Sequence, residues 1–412
     1  MRALLILALL GLAPGAGAQS LNTSEGEGPA ERVTMKEIGT EQGFADWIAG
    51  FRPRALAAGV APETLEPALA SARFNARIIE RDRNQNEFTK TIWDYLDTAV
   101  SDDRIALGRK AMAAHADLLS RIEAEFGVDK HVVAAIWGLE SAYGSFRGDI
   151  PTIEALATLA YDARRAAFFE EQLIAALKIL QNGDVTPEAM RGSWAGAMGH
   201  TQFMPTSWWA HAVDFTADGK RDVWSDDPAD ALASAAAYLR HWGWTPGAPW
   251  GLEVTLPAAF DYDQTTERVK KPVADWAALG VRPAAGGALP DHGLASVLLP
   301  GGARGAAFLI FSNFQVIERY NTADAYVIAV GHLADRLRGA PAIAADWPRD
   351  LRALTLDERI ELQERLGRAG FDPKGVDGRI GPNTIAAVKA FQRANGLVPD
   401  GYASVDILNR LR

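Results

Sequence analysis

The segment VDKHVVAAIWGLESAYG, residues 128–144, has the spacing of a helix with an apolar face, and Glu140 falls on that face between Ile136 and Val133. An ionised carboxylate is costly to bury, so a glutamate in such surroundings keeps its proton to a higher pH than usual. Such a carboxyl is a general acid, and once it has given up the proton it serves as a base. Taken alone, the same residue also fits a buried carboxylate satisfied by an arginine or a helix end. Gly144 and Gly148 follow and are expected to end the helix, which sets Glu140 near a terminus that a groove can reach.

Other segments offer groups that bind rather than react. GSWAGAMGHTQFMPTSWW, residues 192–209, is dense in glycine, polar amides and aromatics and holds no acid. Trp194, Trp208 and Trp209 in it are flat apolar surfaces for a ligand or plain core residues. ERYNTADAY, residues 318–326, offers Tyr320, Asn321 and Tyr326. DFTADGKRDVWSDD, residues 214–227, begins like a calcium loop, with Asp214, Thr216 and Asp218 as ligands, Gly219 at the sharp turn and Lys220 lending its carbonyl. Its twelfth position is Ser225, so Asp226 or Asp227 completes the set only in a lengthened loop. A hydrogen-bonded Asp/Gly turn explains the same residues. The seven histidines show no HExxH spacing, and the absence of cysteine removes disulfides, thiolate nucleophiles and thiolate metal sites.

The elements that carry these groups are mostly helical. FADWIAGFRPRALAAG, RRAAFFEEQLIAALKIL and DALASAAAYLRHW have helical periodicity, rich in alanine that suits close packing. From Trp244 to Arg304 the chain turns to prolines, glycines and short β-leaning runs, LEVTLP and ASVLLPGG. AAFLIFSNFQVIERY starts as a strand, and AYVIAVGHLADRL returns to helix. Residues 339–353 read as a linker, and residues 354–412 contain three short helical patterns. MRALLILALLGLAPGAGAQS has the pattern of a cleavable signal peptide over residues 1–18, followed by a polar leader over 19–40. The run is too short for a membrane span, and no cysteine is present to acylate, so a soluble periplasmic protein rather than a lipoprotein is expected. A net charge of −10 argues against nucleic acid and anionic lipid surfaces as partners.

Together these motifs resemble the lytic murein transglycosylase B family over residues 41–338. IWGLESAYG is similar to its catalytic glutamate motif, GSWAGAMGHTQFMP to its groove motif and RYNTADAY to its third active-site segment. The stretch LQERLGRAGFDPKGVDGRIGPNTIAAVKAFQRANGLVPDG resembles a peptidoglycan-binding domain. The resemblance implies a mainly α chain: a lysozyme-like helical catalytic domain with a small β-containing insert at about 244–320, then a three-helix binding module. It implies Glu140 as acid/base, Ser193, Gln202 and Tyr238 along the groove, and Tyr320, Asn321 and Tyr326 holding sugar and carboxylate. The implied reaction cleaves the N-acetylmuramic acid to N-acetylglucosamine bond without water and leaves 1,6-anhydromuramic ends. It calls for no cofactor, with calcium only as a structural ion. Asp149 and Glu154 keep open a hydrolytic muramidase with two carboxylates, and a non-catalytic wall-binding protein is a further alternative. In the module, Asp377, Arg379 and Thr384 are implied muropeptide contacts, or else they cap the helix. The implied partners are glycan strands met by a monomer, with cell-wall synthesis or division complexes as further associates.

Overall fold

Alanine along the helical segments removes side-chain bulk and lets helices approach closely. In the computed structural model this produces buried helix pairs such as Thr152–Tyr161 against Ala166–Asn182, with Ala155, Leu156, Leu173, Ala176 and Leu177 fully buried. The structure describes residues 39–84 and 90–412, so the signal-peptide reading and nearly all of the leader lie outside the described residues. The described chain divides into two units, one of residues 39–84 and 102–246, the other of residues 90–101 and 247–412.

The first unit is helical apart from a two-stranded antiparallel ribbon that pairs Ile150 with Gly192 and Pro151 with Arg191. The Lys130–Ser141 helix runs through its middle, and every residue from Val132 to Leu139 is buried. The expected apolar face is therefore no face at all, because a helix hydrophobic all round is interior on every side. Glu140 sits on its last turn, where burial relaxes to intermediate. Asp129 starts the helix by accepting from the His131 amide at 2.8 Å.

The second unit joins the Ile92–Ala99 helix to a five-stranded antiparallel sheet, in the order Lys271–Pro272, Leu294–Leu298, Ala307–Ile310, Gly251–Thr255 and Arg282–Pro283. The central strands pair Leu252 with Leu309 and Val297 with Leu309, the register that buries Val254, Val297 and Phe311 with Trp276. The Ser312–Glu318 and Asp324–Arg338 helices follow, so the run at 306–320 begins as the strand its pattern predicts and continues as helix, where the pattern leaves loop or helix start open.

Residues 339–353 form no helix or strand, yet they are strapped down rather than loose. Glu253 accepts from the Ala344 and Ala345 amides at 2.8 and 2.7 Å, and Trp347 packs on Trp93 with ring centroids 6.1 Å apart. Arg349 grips Asp97 through both carboxylate oxygens at 2.7 and 2.9 Å. The module that follows has the three helices its sequence predicts, Leu356–Arg368, Pro382–Ala394 and Val405–Leu411, around Leu362, Leu366, Val388 and Leu408. Thr355 and Glu358 close a capping box on the first of them. Lys389 donates across to the Tyr262 carbonyl and to Thr265 Oγ1, and Asp400 accepts from the Ala303 amide at 2.8 Å, which seats the module on the sheet region.

Candidate active site

The helix carrying Glu140 stops abruptly. Its end is made by Ala142 and Tyr143, both left-handed at φ 49° and 57°, ahead of Gly144 at φ 85°. The glycines expected to end it lie further on, and two side-chain-bearing residues accept the strain instead, at about 1–3 kcal/mol each. Their amides repay part of it: Ala142 donates to the Gly138 carbonyl at 3.1 Å and Tyr143 to the Trp137 carbonyl at 3.2 Å. The Tyr143 ring then folds back over the helix. A Cβ at Gly138 would stand 2.5 Å from Tyr143 Cζ, which explains a glycine inside a buried helix. The Tyr143 hydroxyl donates to the Arg104 carbonyl at 3.1 Å, and burial pushes that phenol far above its ordinary range. Arg104, itself buried, donates to the Gly138 carbonyl.

The groove segment locks onto this end through backbone. Gly148 lies so close to Gly192 that a Cβ would be 2.1 Å from its carbonyl, so any larger residue would part the two chains. Ser193 Oγ accepts from the Ala197 amide at 3.1 Å, while Ser193 N donates to the Ala197 carbonyl at 2.8 Å. Gln202, left-handed at φ 52° and 8% exposed, donates its amide nitrogen to the Arg147 carbonyl at 3.0 Å and the Gly199 carbonyl at 2.8 Å. Ser141 Oγ donates to the His200 carbonyl at 2.6 Å and accepts from the Gly144 amide at 3.0 Å. Tyr238 is buried against Phe203, His211 and Trp242. Trp208 is core, Trp194 is half-buried, and Trp209 is 45% exposed beside Arg221. Of the two spare acids, Glu154 accepts from Asn75 at 2.9 Å and Asp149 is exposed.

In the second unit Asn321 is buried, and its side-chain oxygen accepts from the Ala323 amide at 3.0 Å, which turns the chain into the helix carrying the buried Tyr326. Tyr320 is half-buried. Sequence reasoning missed the acids in and beside this segment. Glu267 and Asp324 share a hydrogen bond, and Glu318 lies close to Asp324. Burial and mutual repulsion raise Glu267 to about 7, while Asp324 and Glu318 also move up. Their signal in the sequence was weak, because Glu267 stands in a proline- and glycine-rich insert and Asp324 reads as an ordinary helix-start charge.

In the calcium-like loop Asp214 and Asp218 of the expected residues are joined by Asp230, which the linear motif does not include. Carboxylate oxygens of Asp214, Asp218 and Asp230 lie within 4.8 Å of one another. Asp226 is instead fully exposed and paired with Arg147 at 2.6 Å, because the loop turns it outward. Asp230 comes from the first turn of the Ala229–His241 helix, is 2% exposed, and accepts from the Phe215, Thr216 and Asp222 amides at 2.9, 3.1 and 2.9 Å. Burial raises its pKa. Asp214 accepts from the Asp218 and Gly219 amides and, at 3.4 Å, from Thr216 Oγ1, while the Lys220 amide donates to Asp218. The separation suits oxygen ligands around one calcium ion, and each oxygen has a second lone pair to give.

In the binding module, Gln363 organises the residues singled out. Its amide nitrogen donates to Asp377 Oδ1 at 3.0 Å, the Arg379 carbonyl at 2.9 Å and Thr384 Oγ1 at 3.1 Å, and its oxygen accepts from the Asp377 and Gly378 amides. Thr384 is buried, while Asp377 and Arg379 are exposed.

Residues 43–335 match the transglycosylase SLT domain family, and residues 355–411 match the peptidoglycan binding domain family. The membrane-bound lytic murein transglycosylase B of Escherichia coli K12 is 32% identical over 241 residues, 57% of this chain and 64% of that protein, so the alignment spans just under two thirds of the relative. The crystal structure of SltB3 from Pseudomonas aeruginosa in complex with NAG-anhNAM-pentapeptide superposes with a TM-score of 0.87 at 48% identity, covering 90% of this chain and 99% of that one. Escherichia coli Slt35 in complex with calcium gives a TM-score of 0.62 at 28% identity over 73% of this chain and 94% of its own. The expected mainly helical architecture with a small sheet and a helical C-terminal module is borne out by these likenesses. The chain belongs to the lytic murein transglycosylase B family, an SLT-type transglycosylase domain joined to a peptidoglycan-binding domain.

Proposed function

We propose that this protein is a lytic transglycosylase that cuts the bond between N-acetylmuramic acid and N-acetylglucosamine in peptidoglycan and leaves a 1,6-anhydromuramic end. The observation that carries the reading is the placing of Glu140. A half-buried carboxyl ends a helix that is otherwise wholly interior, on a turn held by left-handed Ala142 and Tyr143. A relative at 48% identity has been crystallised with NAG-anhNAM-pentapeptide, a ligand with the anhydro end this reaction would make. Glu140 gives its proton to the departing glycosidic oxygen. As carboxylate it then takes the proton of the muramic C6 hydroxyl while that oxygen closes on C1. The substrate's acetamido group supports the cationic carbon, and the resemblance of RYNTADAY to the family's third active-site segment gives Tyr320, Asn321 and Tyr326 the part of sugar-binding residues. Ser193 and Gln202 shape the groove by fixing backbone, and Tyr238 lends it an aromatic wall.

Asp214, Asp218 and Asp230 would hold a calcium ion that braces the loop before the Ala229–His241 helix, apart from the chemistry. The module, strapped to the sheet region, would hold polymer close to the catalytic unit. Export to the periplasm follows from the signal-like N-terminal sequence, and no helix among the described residues is long and apolar enough to cross a membrane. The rival is a hydrolytic muramidase with a second carboxylate. The bond from Asn75 to Glu154 and the exposure of Asp149 weigh against it.

Digestion of purified sacculi followed by mass spectrometry separates the two. Anhydro products support cyclisation, and products heavier by one water would sink it.

A further inference from the structure

His200 is 3% exposed and takes no part in the reaction as derived above, yet it touches three parts of the structure around the turn after Glu140. Its ring Nδ1 accepts from Trp137 Nε1 at 3.1 Å, and Trp137 stands one turn before Glu140 on the same helix. That contact fixes the tautomer, so Nε2 carries the hydrogen and donates to the Ser225 carbonyl at 2.8 Å. Its main-chain carbonyl accepts from Ser141 Oγ, the residue directly after Glu140. The ring edge also lies against Gly144, where a Cβ would stand 2.6 Å from His200 Cε1. One residue thus binds the helix side chain, the residue after the acid and the turn beyond it.

We propose that His200 is a positioning residue for Glu140: its neutral ring holds the last turn of the catalytic helix in place, and protonation of the ring releases that turn. The inference rests on Glu140 being the acid of the proposed reaction. A second proton on the ring would sit on Nδ1 and face the Trp137 N–H, turning an acceptor into a second donor. It would also place a cation beside Arg147, whose Nη1 lies 3.2 Å from Nε2. The charged groups around the ring are Arg147, Asp226 and Asp222, and His115 packs edge-on with Trp137 at 5.5 Å between ring centroids. Burial and Arg147 hold His200 below the ordinary histidine range, against the Ser225 carbonyl and the two aspartates. The sign follows. A histidine depressed in the folded state keeps its contribution above its unfolded pKa, and loses it as pH falls through the lower folded value. Glu140 as an acid fails on the other side, as pH rises and it loses its proton. His200 therefore sets the acid limb of the activity profile and Glu140 the basic limb.

The test uses the full chain on purified sacculi, with anhydro-muropeptide release followed across pH for wild type, His200→Gln and His200→Ala. Gln keeps one donor and one acceptor but does not titrate. Loss of the ring in His200→Ala is expected to lower kcat about ten- to hundredfold with KM little changed, as a small misplacement of a catalytic group does. His200→Gln recovers most of that loss, and its acid limb moves down while the basic limb stays. In parallel, the wild-type Trp137 indole N–H and the amides of Ala142, Tyr143 and Gly144 are followed by NMR, and they should titrate together with one midpoint in the acid range. An unchanged acid limb in His200→Gln, or turn amides that do not move with the indole, overturns the proposal. If wild type releases no anhydro-muropeptide, the proposed reaction fails instead, and the NMR midpoint still decides whether the ring controls the turn.

Discussion

Two turns in this molecule look alike as sequence and behave differently as structure. Both lie at or beyond a helix end, and both set polar residues beside glycine: Glu140 with SAYG in one unit, and the VDGRIGPNT turn in the other. In the binding module the turn is clamped from the inside, where Gln363 alone makes five hydrogen bonds to Asp377, Gly378, Arg379 and Thr384. At the helix end that holding work falls to Ser141, Ser193, Gln202 and His200, and Glu140 stands on the last turn of a buried helix. A polar residue in a glycine-rich turn is thus more often a clamp on backbone than a contact for substrate. The contrast can be tested, since a clamp should cost stability and an acid should cost rate.

The largest effect is expected at Glu140. Glu140→Gln keeps shape and removes the transferable proton, so kcat should fall about a hundred- to ten-thousandfold, the range that general acid–base steps contribute. Thermal unfolding should scarcely move. A variant that clears sacculi at the wild-type rate would remove the acid from this residue.

Gln202 falls between the two classes. Gln202→Ala leaves the Arg147 and Gly199 carbonyls without their donor, each worth about 1–3 kcal/mol if buried unpaired. Both stability and kcat should drop, the latter about tenfold or more because Arg147 belongs to the loop that follows Glu140. Gln363→Ala should show the clamp alone. Unfolding of the module is expected to become easier by about 2–3 kcal/mol, from the buried Gly378 amide and its neighbours. Turnover of short soluble glycans at a temperature where the module stays folded should not change. If turnover fell as much as stability, the division between clamp and acid would be wrong.

Calcium offers a further comparison, because the Asp214 loop already spends its carboxylates on backbone amides. Added calcium should raise the unfolding temperature, by the equivalent of about 2.7 kcal/mol at a hundredfold excess over Kd. Asp230→Asn should abolish that gain, while removing calcium leaves kcat close to unchanged. A calcium-independent unfolding temperature would reduce the loop to a hydrogen-bonded turn.

Much of this was legible in the sequence, and the failures have physical causes. The helices, the strand that opens 306–320 and the three-helix module follow from periodicity, because each buries a face of matching period. Periodicity misjudged the 130–141 helix, since a helix buried on all sides carries no polar face to mark its orientation. It gave the helix end to Gly144 and Gly148, although packing of Tyr143 on Gly138 stabilises left-handed backbone two residues earlier. The third carboxylate of the Asp214 loop was missed because it comes from the next helix, beyond the linear motif. Residues 339–353 read as a linker, and the tryptophan–tryptophan and arginine–aspartate contacts that hold them leave no local pattern in the sequence.

The smallest effect separates the acid at the helix end from the acids of the second unit. Glu267 and Asp324 share a hydrogen bond that needs one proton between them, and Glu267 titrates at about 7. A carboxyl raised in the folded state lends its stability below the unfolded pKa and loses it as pH rises through the folded value, here around neutrality. Wild type should therefore lose stability between about pH 4 and 7, a window set by the unfolded glutamate value of about 4.3 and the folded value of about 7. Glu267→Gln supplies a permanent N–H donor to Asp324 and removes the titration, so its unfolding temperature should stay flatter over that window and exceed wild type at its upper end. Lys270 opposes the shift from nearby and should sharpen the drop when replaced by methionine. If Glu267→Gln instead removed the basic limb of kcat, the proton that matters for turnover would reside on this pair and Glu140 would lose its claim to it.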